Sequence, residues 1–163
     1  MLRRLTFLFA TALAVGSCGS EDTQATERDA DIYVAVIRTL APEDHGAQTE
    51  ELDQVVYVGP LDEVDISLEV QVAVVDELEE FATIRFVDTS DEAIEEDEAG
   101  EPVLEGGVLL LLSAVPPGPA PSVDTKRYVD REDAVRYEVS LERPAEEWQV
   151  VNVARPGRNG RRS

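Results

Sequence analysis

One cysteine, one histidine and one lysine stand in a chain of 163 residues, and each scarcity excludes something. A single cysteine cannot form an internal disulfide, so the fold must rest on its own core, which a chain of this length can supply. A lone histidine, His45, cannot build the nitrogen-rich zinc site that recurs in metalloenzymes, and its polar setting between Asp44 and Gly46 reads as a solvated loop. A serine triad would have to recruit that same histidine. Nucleophile elbow, phosphate-cradling glycine loop and dinucleotide fingerprint are all missing, because Gly106-Gly107 precedes a strand pattern rather than a helix. No apolar run reaches the roughly 20 residues that a membrane-spanning helix needs. Basic residues are few, 14 against 35 acidic, and a net charge of -21 repels nucleic acid and anionic lipid alike. We therefore expect no nucleic-acid partner and no cofactor.

What is present begins with Met1 to Cys18, MLRRLTFLFATALAVGSC. Arg3 and Arg4 precede an apolar run from Leu5 to Val15, and small residues lead into the cysteine. This is the layout of a secretory signal. Ala12-Leu13-Ala14 would also permit ordinary cleavage after Ala14, leaving an unpaired thiol on an exported chain. The segment Val15-Gly16-Ser17-Cys18 resembles the lipobox of bacterial and some archaeal lipoproteins, with valine in place of the commoner leucine. The resemblance covers about 18 residues. It implies that Cys18 is acylated and becomes the mature N-terminus, so that lipid joins the chain to a membrane. Two or three acyl chains, at about 0.8 kcal/mol per buried methylene, make release slow. Gly19 lacks the aspartate that such proteins use for inner-membrane retention, which leaves cell membrane or outer membrane open.

The charge is segregated. From Ala41 to Glu80 the chain carries 13 acidic residues and no basic one, and from Val87 to Glu105 nine more. The run Asp91, Glu92, Glu95, Glu96, Asp97, Glu98 is a candidate for calcium or magnesium, although it lacks the alternating ligands and central glycine of an EF-hand loop. Diffuse counter-ion attraction is the plainer expectation. Beyond Trp148 only Arg155, Arg158, Arg161 and Arg162 are charged. These could touch phosphate headgroups, at about 1 kcal/mol each near an anionic surface, or form a frayed solubilising tail.

Between these ends the pattern predicts one domain. Residues 1–17 read as signal, 18–28 as lipidated cysteine and tether, 29–154 as the globular unit and 155–163 as the basic tail. Ile32, Tyr33, Val36, Ile37 and Leu40 predict a helix over about 27–40, with Thr26 as its N-cap and Pro42 as its stop. Gln54–Val58 and Thr83–Val87 read as strands. Asp65–Phe81 is ambiguous: Ile66, Leu68, Val70, Val72 and Val74 alternate, yet Ile66, Val70, Ala73, Val74, Leu78 and Phe81 form a helical stripe. Length favours a helix, capped by Asp62 or Asp65. Val108–Val115 is an unbroken apolar run, suited to a strand covered on both faces. Val135, Tyr137, Val139 and Leu141 alternate with polar residues, and Trp148–Val153 returns as the partner of a hairpin. Tyr128 and Val129 belong to a strand before it.

The expected fold is α+β: an antiparallel or mixed sheet of about five to six strands, two helices packed on one face, and a C-terminal hairpin. The plan is similar to that of small bacterial envelope lipoproteins with two early helices and a sheet ending in a Trp-x-Val strand, a likeness that implies no activity. The sequence points to a lipid-anchored binding or structural module with an envelope protein or polymer as partner. The rivals are an envelope hydrolase using paired carboxylates and a protein binding divalent cations. No catalytic residue is assigned.

Overall fold

The computed structural model describes residues 20–42, 53–62, 64–96 and 98–156. Six strands form one mixed sheet, ordered β2-β1-β3-β4-β5-β6. The elements are α1 (Ser20–Leu40), β1 (Val55–Pro60), α2 (Leu68–Leu78), β2 (Thr83–Phe86), β3 (Val108–Leu112), β4 (Ser122–Tyr128), β5 (Ala134–Glu142) and β6 (Gln149–Ala154). β1 lies parallel to both β2 and β3, with Tyr57 between Arg85 and Leu109, while β3 to β6 run antiparallel. The fold is α+β, with a six-stranded mixed sheet, two helices and a C-terminal hairpin, β5–β6.

α1 begins earlier than its apolar stripe. The segment expected to be a tether is helical from Ser20, and Thr26, expected as the cap, lies inside the helix with its hydroxyl donating to the Asp22 carbonyl at 3.0 Å. Side chains from Asp22 to Ala25 are exposed, so these first turns add no core contact and leave no periodic apolar signal. The buried stripe, Ile32, Tyr33, Val36, Ile37 and Leu40, matches the expected one.

α2 settles the ambiguous stretch as helix. Its cap is Ser67, whose hydroxyl accepts from the Val70 amide at 3.4 Å, and not Asp62 or Asp65. A serine one residue before the first helical position satisfies an amide that would otherwise lack a partner.

The main core lies between the helices and one face of the sheet. Val56, Val58, Val108, Leu110, Leu112, Val123, Tyr137, Val139 and Leu141 supply the sheet side. Among the described residues, the opposite face is covered over β1, β3 and the end of β4. There Tyr57, Leu109, Leu111 and Tyr128 pack against Ala93 and Val103 of the acidic segment between β2 and β3. That is why β3 is apolar at every position: both of its faces are buried.

Where the chain enters β3, an added Cβ on Gly107 would sit 2.4 Å from the Val55 carbonyl oxygen, so only glycine fits. In β6, Val150 pairs with Leu141 and Asn152 with Ser140. Val151 is the extra residue of a bulge, which lets both Val150 and Val153 pack on the main core.

Candidate functional site

The acidic segment 88–107 is a folded cover. Ser90–Ala93 forms a short 3-10 turn, Ile94 bridges to Val103, and the Glu95 amide donates to the Pro102 carbonyl at 2.9 Å. The Tyr128 hydroxyl donates to the Glu101 carbonyl at 2.8 Å, and the Arg131 amide donates to the Gly100 carbonyl at 2.8 Å. Arg131 pairs with Glu101 and Arg85 with Glu105. Arg85 also lies over the Tyr57 ring, 5.8 Å from its centre, and donates to its hydroxyl at 3.1 Å. The guanidinium beside Glu105 holds that carboxyl below its usual range.

The described candidate ligands of this segment, Asp91, Glu92, Glu95, Glu96 and Glu98, do not share one centre. The Asp91 carboxylate accepts from the Ser90 hydroxyl and that of Glu92 from the Thr89 hydroxyl. Among the described residues no group of three or more histidine, cysteine, aspartate or glutamate side chains converges as a metal would require. Asp97 and His45 lie outside the described residues.

Two hollows flank the parallel strands. One, of about 300 Å³, lies at the amino ends of β1 and β2, with Asp53, Glu79, Glu80 and Glu105 on its walls. The other, broader and more open, lies at their carboxyl ends beside Pro60, Asp62, Asp65 and Asp88. Open α/β sheets bind ligands at the carboxyl ends of their strands. A general acid at such a site needs a raised pKa. Burial raises the Asp29 and Asp31 carboxyls, which sit on α1, outside both linings.

The basic end divides. Arg155 is held against the sheet, its guanidinium 5.6 Å from the centre of the Tyr137 ring and within 3.5 Å of the hydroxyl oxygen. Arg158, Arg161 and Arg162 lie outside the described residues, as does Cys18. Trp148 is partly buried against the core and flanked by Arg28 at 5.7 Å and Arg143 at 5.9 Å. Arg28 also donates to the Pro116 carbonyl at 2.7 Å, tying α1 to the proline-rich loop before β4.

Sequence reasoning did not single out the outer face of α2. Val64, Leu68, Val72 and Val75 are 57%, 69%, 51% and 38% exposed. In the helix, Leu68, Val72 and Val75 stand four and three residues apart, in one row. The buried row is Val70, Val74 and Leu78, roughly 120° away at 3.6 residues per turn. Apolar side chains on both rows produced the alternation that mimicked a strand. Glu69 and Asp76, both exposed, lie along one side of the outer row, and the exposed Glu79 lies in line with it.

No described helix is long and apolar enough to cross a membrane. No protein-family model, curated protein or solved structure matches the chain.

Proposed function

We propose that this chain is a lipid-anchored module on the outer side of a cell membrane or outer membrane, binding an envelope protein or polymer rather than transforming a substrate. The observation that carries the anchor is the run Val15-Gly16-Ser17-Cys18 after a basic and apolar leader, with Cys18 the only thiol in the chain. The position of α1 supports it: the chain is helical from Ser20, the first described residue, and reaches the core at Ala30. At 1.5 Å per residue, the intervening turns form a stalk about 15 Å long, which would hold the domain at a set height above the lipid.

Binding is favoured over catalysis by how the polar groups are spent. The acidic segment covers a second small core, and the buried Arg127 closes the end of α1. Exposed apolar surface collects instead on α2. The test is metabolic labelling with palmitate in the native host. The wild-type chain should take up label and fractionate with membranes, and Cys18→Ala should do neither. An unlabelled wild-type chain would overturn the proposal.

A further inference from the structure

On the open half of the sheet, like charges face each other across β4 and β5. Val123, Thr125 and Arg127 of β4 and Val135, Tyr137 and Val139 of β5 point to the helices, so Asp124, Lys126, Arg136 and Glu138 point the other way. Lys126 stands opposite Arg136 and, on the next outward rung, Asp124 stands opposite Glu138. One rung is doubly positive and the other doubly negative. Like charges directly opposite on antiparallel strands destabilise a sheet, whereas opposite charges stabilise it. Exchanging Arg136 and Glu138 alone would make both rungs attractive, so the arrangement found is the less stable of the two. Among the described residues no ion pair joins the rungs; those present are Arg28–Asp29, Arg85–Glu105, Arg127–Asp133 and Arg131–Glu101. Lys126 lies over the Tyr128 ring at 5.4 Å, and Glu138 accepts from the Ser122 hydroxyl at 3.3 Å. The bordering outward positions are uncharged: Tyr128 and Ala134 on one side, Ser122 and Ser140 on the other, Leu111 beside Lys126 and Ala154 beside Glu138. Asp124, Arg136 and Glu138 are exposed, and Lys126 is half-buried.

We infer that these two rungs bind a zwitterion, its carboxylate on Lys126 and Arg136 and its primary ammonium on Asp124 and Glu138. Outward residues of a strand recur every about 7 Å, which sets the separation of the two groups. The carboxyl-terminal lysine of an envelope peptide has this chemistry, with its α-carboxylate and ε-ammonium at opposite ends of an extended chain. A net charge of -21 repels a plain anion from the positive rung and gathers plain cations over the whole surface without selection. A ligand without net charge escapes both effects. The inference deepens the binding-module reading and rests on it, by naming the group that the module recognises. Palmitate uptake reads the anchor and ligand titration reads the rungs, so either can fail alone.

The probe is 6-aminohexanoate, titrated into the isotope-labelled full chain beside glycine, hexanoate and hexylamine. Amide shifts should concentrate on β4 and β5 and saturate in the millimolar range, as exposed ion contacts allow. Glycine is too short to reach both rungs, and it and the two singly charged analogues should bind at least tenfold more weakly. Arg136→Gln and Glu138→Gln should each weaken binding several-fold. The exchange variant Arg136→Glu/Glu138→Arg keeps composition and net charge. It should abolish binding and yet raise the melting temperature, because both rungs become attractive; a purely structural role for the four side chains gives the opposite sign. Equal binding of hexanoate or hexylamine would overturn the inference, as would binding that survives the exchange. So would an exchange variant that melts lower than wild type, or a wild-type chain that shows no shift at tens of millimolar probe.

Discussion

The Arg127 guanidinium donates through Nε to the Leu40 carbonyl oxygen at 3.0 Å, across 87 residues of chain. Leu40 is the last residue of α1, and its carbonyl has no partner within the helix. Arg127 is buried, and its other arm reaches the half-exposed Asp133 carboxylate at 3.1 Å. One side chain thus fixes the helix end to β4 and to the turn between β4 and β5. Positive charge at a helix C-terminus is favoured, and a charge-assisted bond in a buried setting is stronger than a neutral one.

Arg127→Met should accordingly lower stability by about 2–4 kcal/mol, since it strands a buried carbonyl. Asp133→Asn should cost less than about 1 kcal/mol, because that partner is exposed to solvent. Urea unfolding monitored by circular dichroism reads both. Equal losses would mean that the ion pair, and not the helix end, is the reason for this arginine.

Gly107 offers a steric test of how the acidic cover meets the sheet. A methyl group there would sit 2.4 Å from the Val55 carbonyl oxygen, so β1 and β3 would have to separate. Gly107→Ala should cost more than about 2 kcal/mol, above the usual cost of a strained glycine replacement. A melting temperature within a degree of wild type would show that the strands can give way.

These two sites show what the sequence could and could not reveal. The hairpin was legible because β5 alternates buried and exposed residues over Val135–Leu141, and β3 because nothing polar interrupts it. β4 was legible only at its end. Its helix-facing positions are Val123, Thr125 and Arg127, so polar residues occupy core sites and hide the period. Arg127 is explained by Leu40, a partner that no local window contains. The first turns of α1 escaped because they bury nothing. α2 read ambiguously because it is apolar on two rows, one of which packs on no other element among the described residues. That exposed row was visible in the sequence only as ambiguity.

Stability should respond to pH with a maximum on the acid side of neutrality. Burial raises the Asp29 and Asp31 carboxyls above their ordinary 3.8, so their protonated forms are favoured by folding. The stability they contribute is complete below 3.8 and is lost as pH rises through their folded values. Glu105 runs the other way. Its pairing with Arg85 lowers its pKa, so that contribution is present above its ordinary 4.5 and lost as pH falls through the folded value. The net charge of -21 adds self-repulsion that acid also relieves. Thermal melts at low ionic strength should peak near about pH 5, with a smaller peak in salt. A melting temperature that falls steadily from pH 7 to pH 5 would contradict this balance.

Removing divalent cations should leave the fold intact. The cover closes through Ala93, Val103 and the Tyr128–Glu101 hydrogen bond, with no converging acidic cluster among the described residues. Melting curves with a chelator and with millimolar calcium should superimpose. A calcium-dependent rise that Asp91→Asn removes would restore a metal to this segment.

The proposed anchor rests on one sulfur atom, and the intact mass of the protein purified from its native host reads it directly. The predicted result is a chain starting at Cys18 and heavier than its sequence by a diacylglyceride and a further acyl group. A chain that begins at Met1, or one that carries Cys18 with a free thiol, would contradict it.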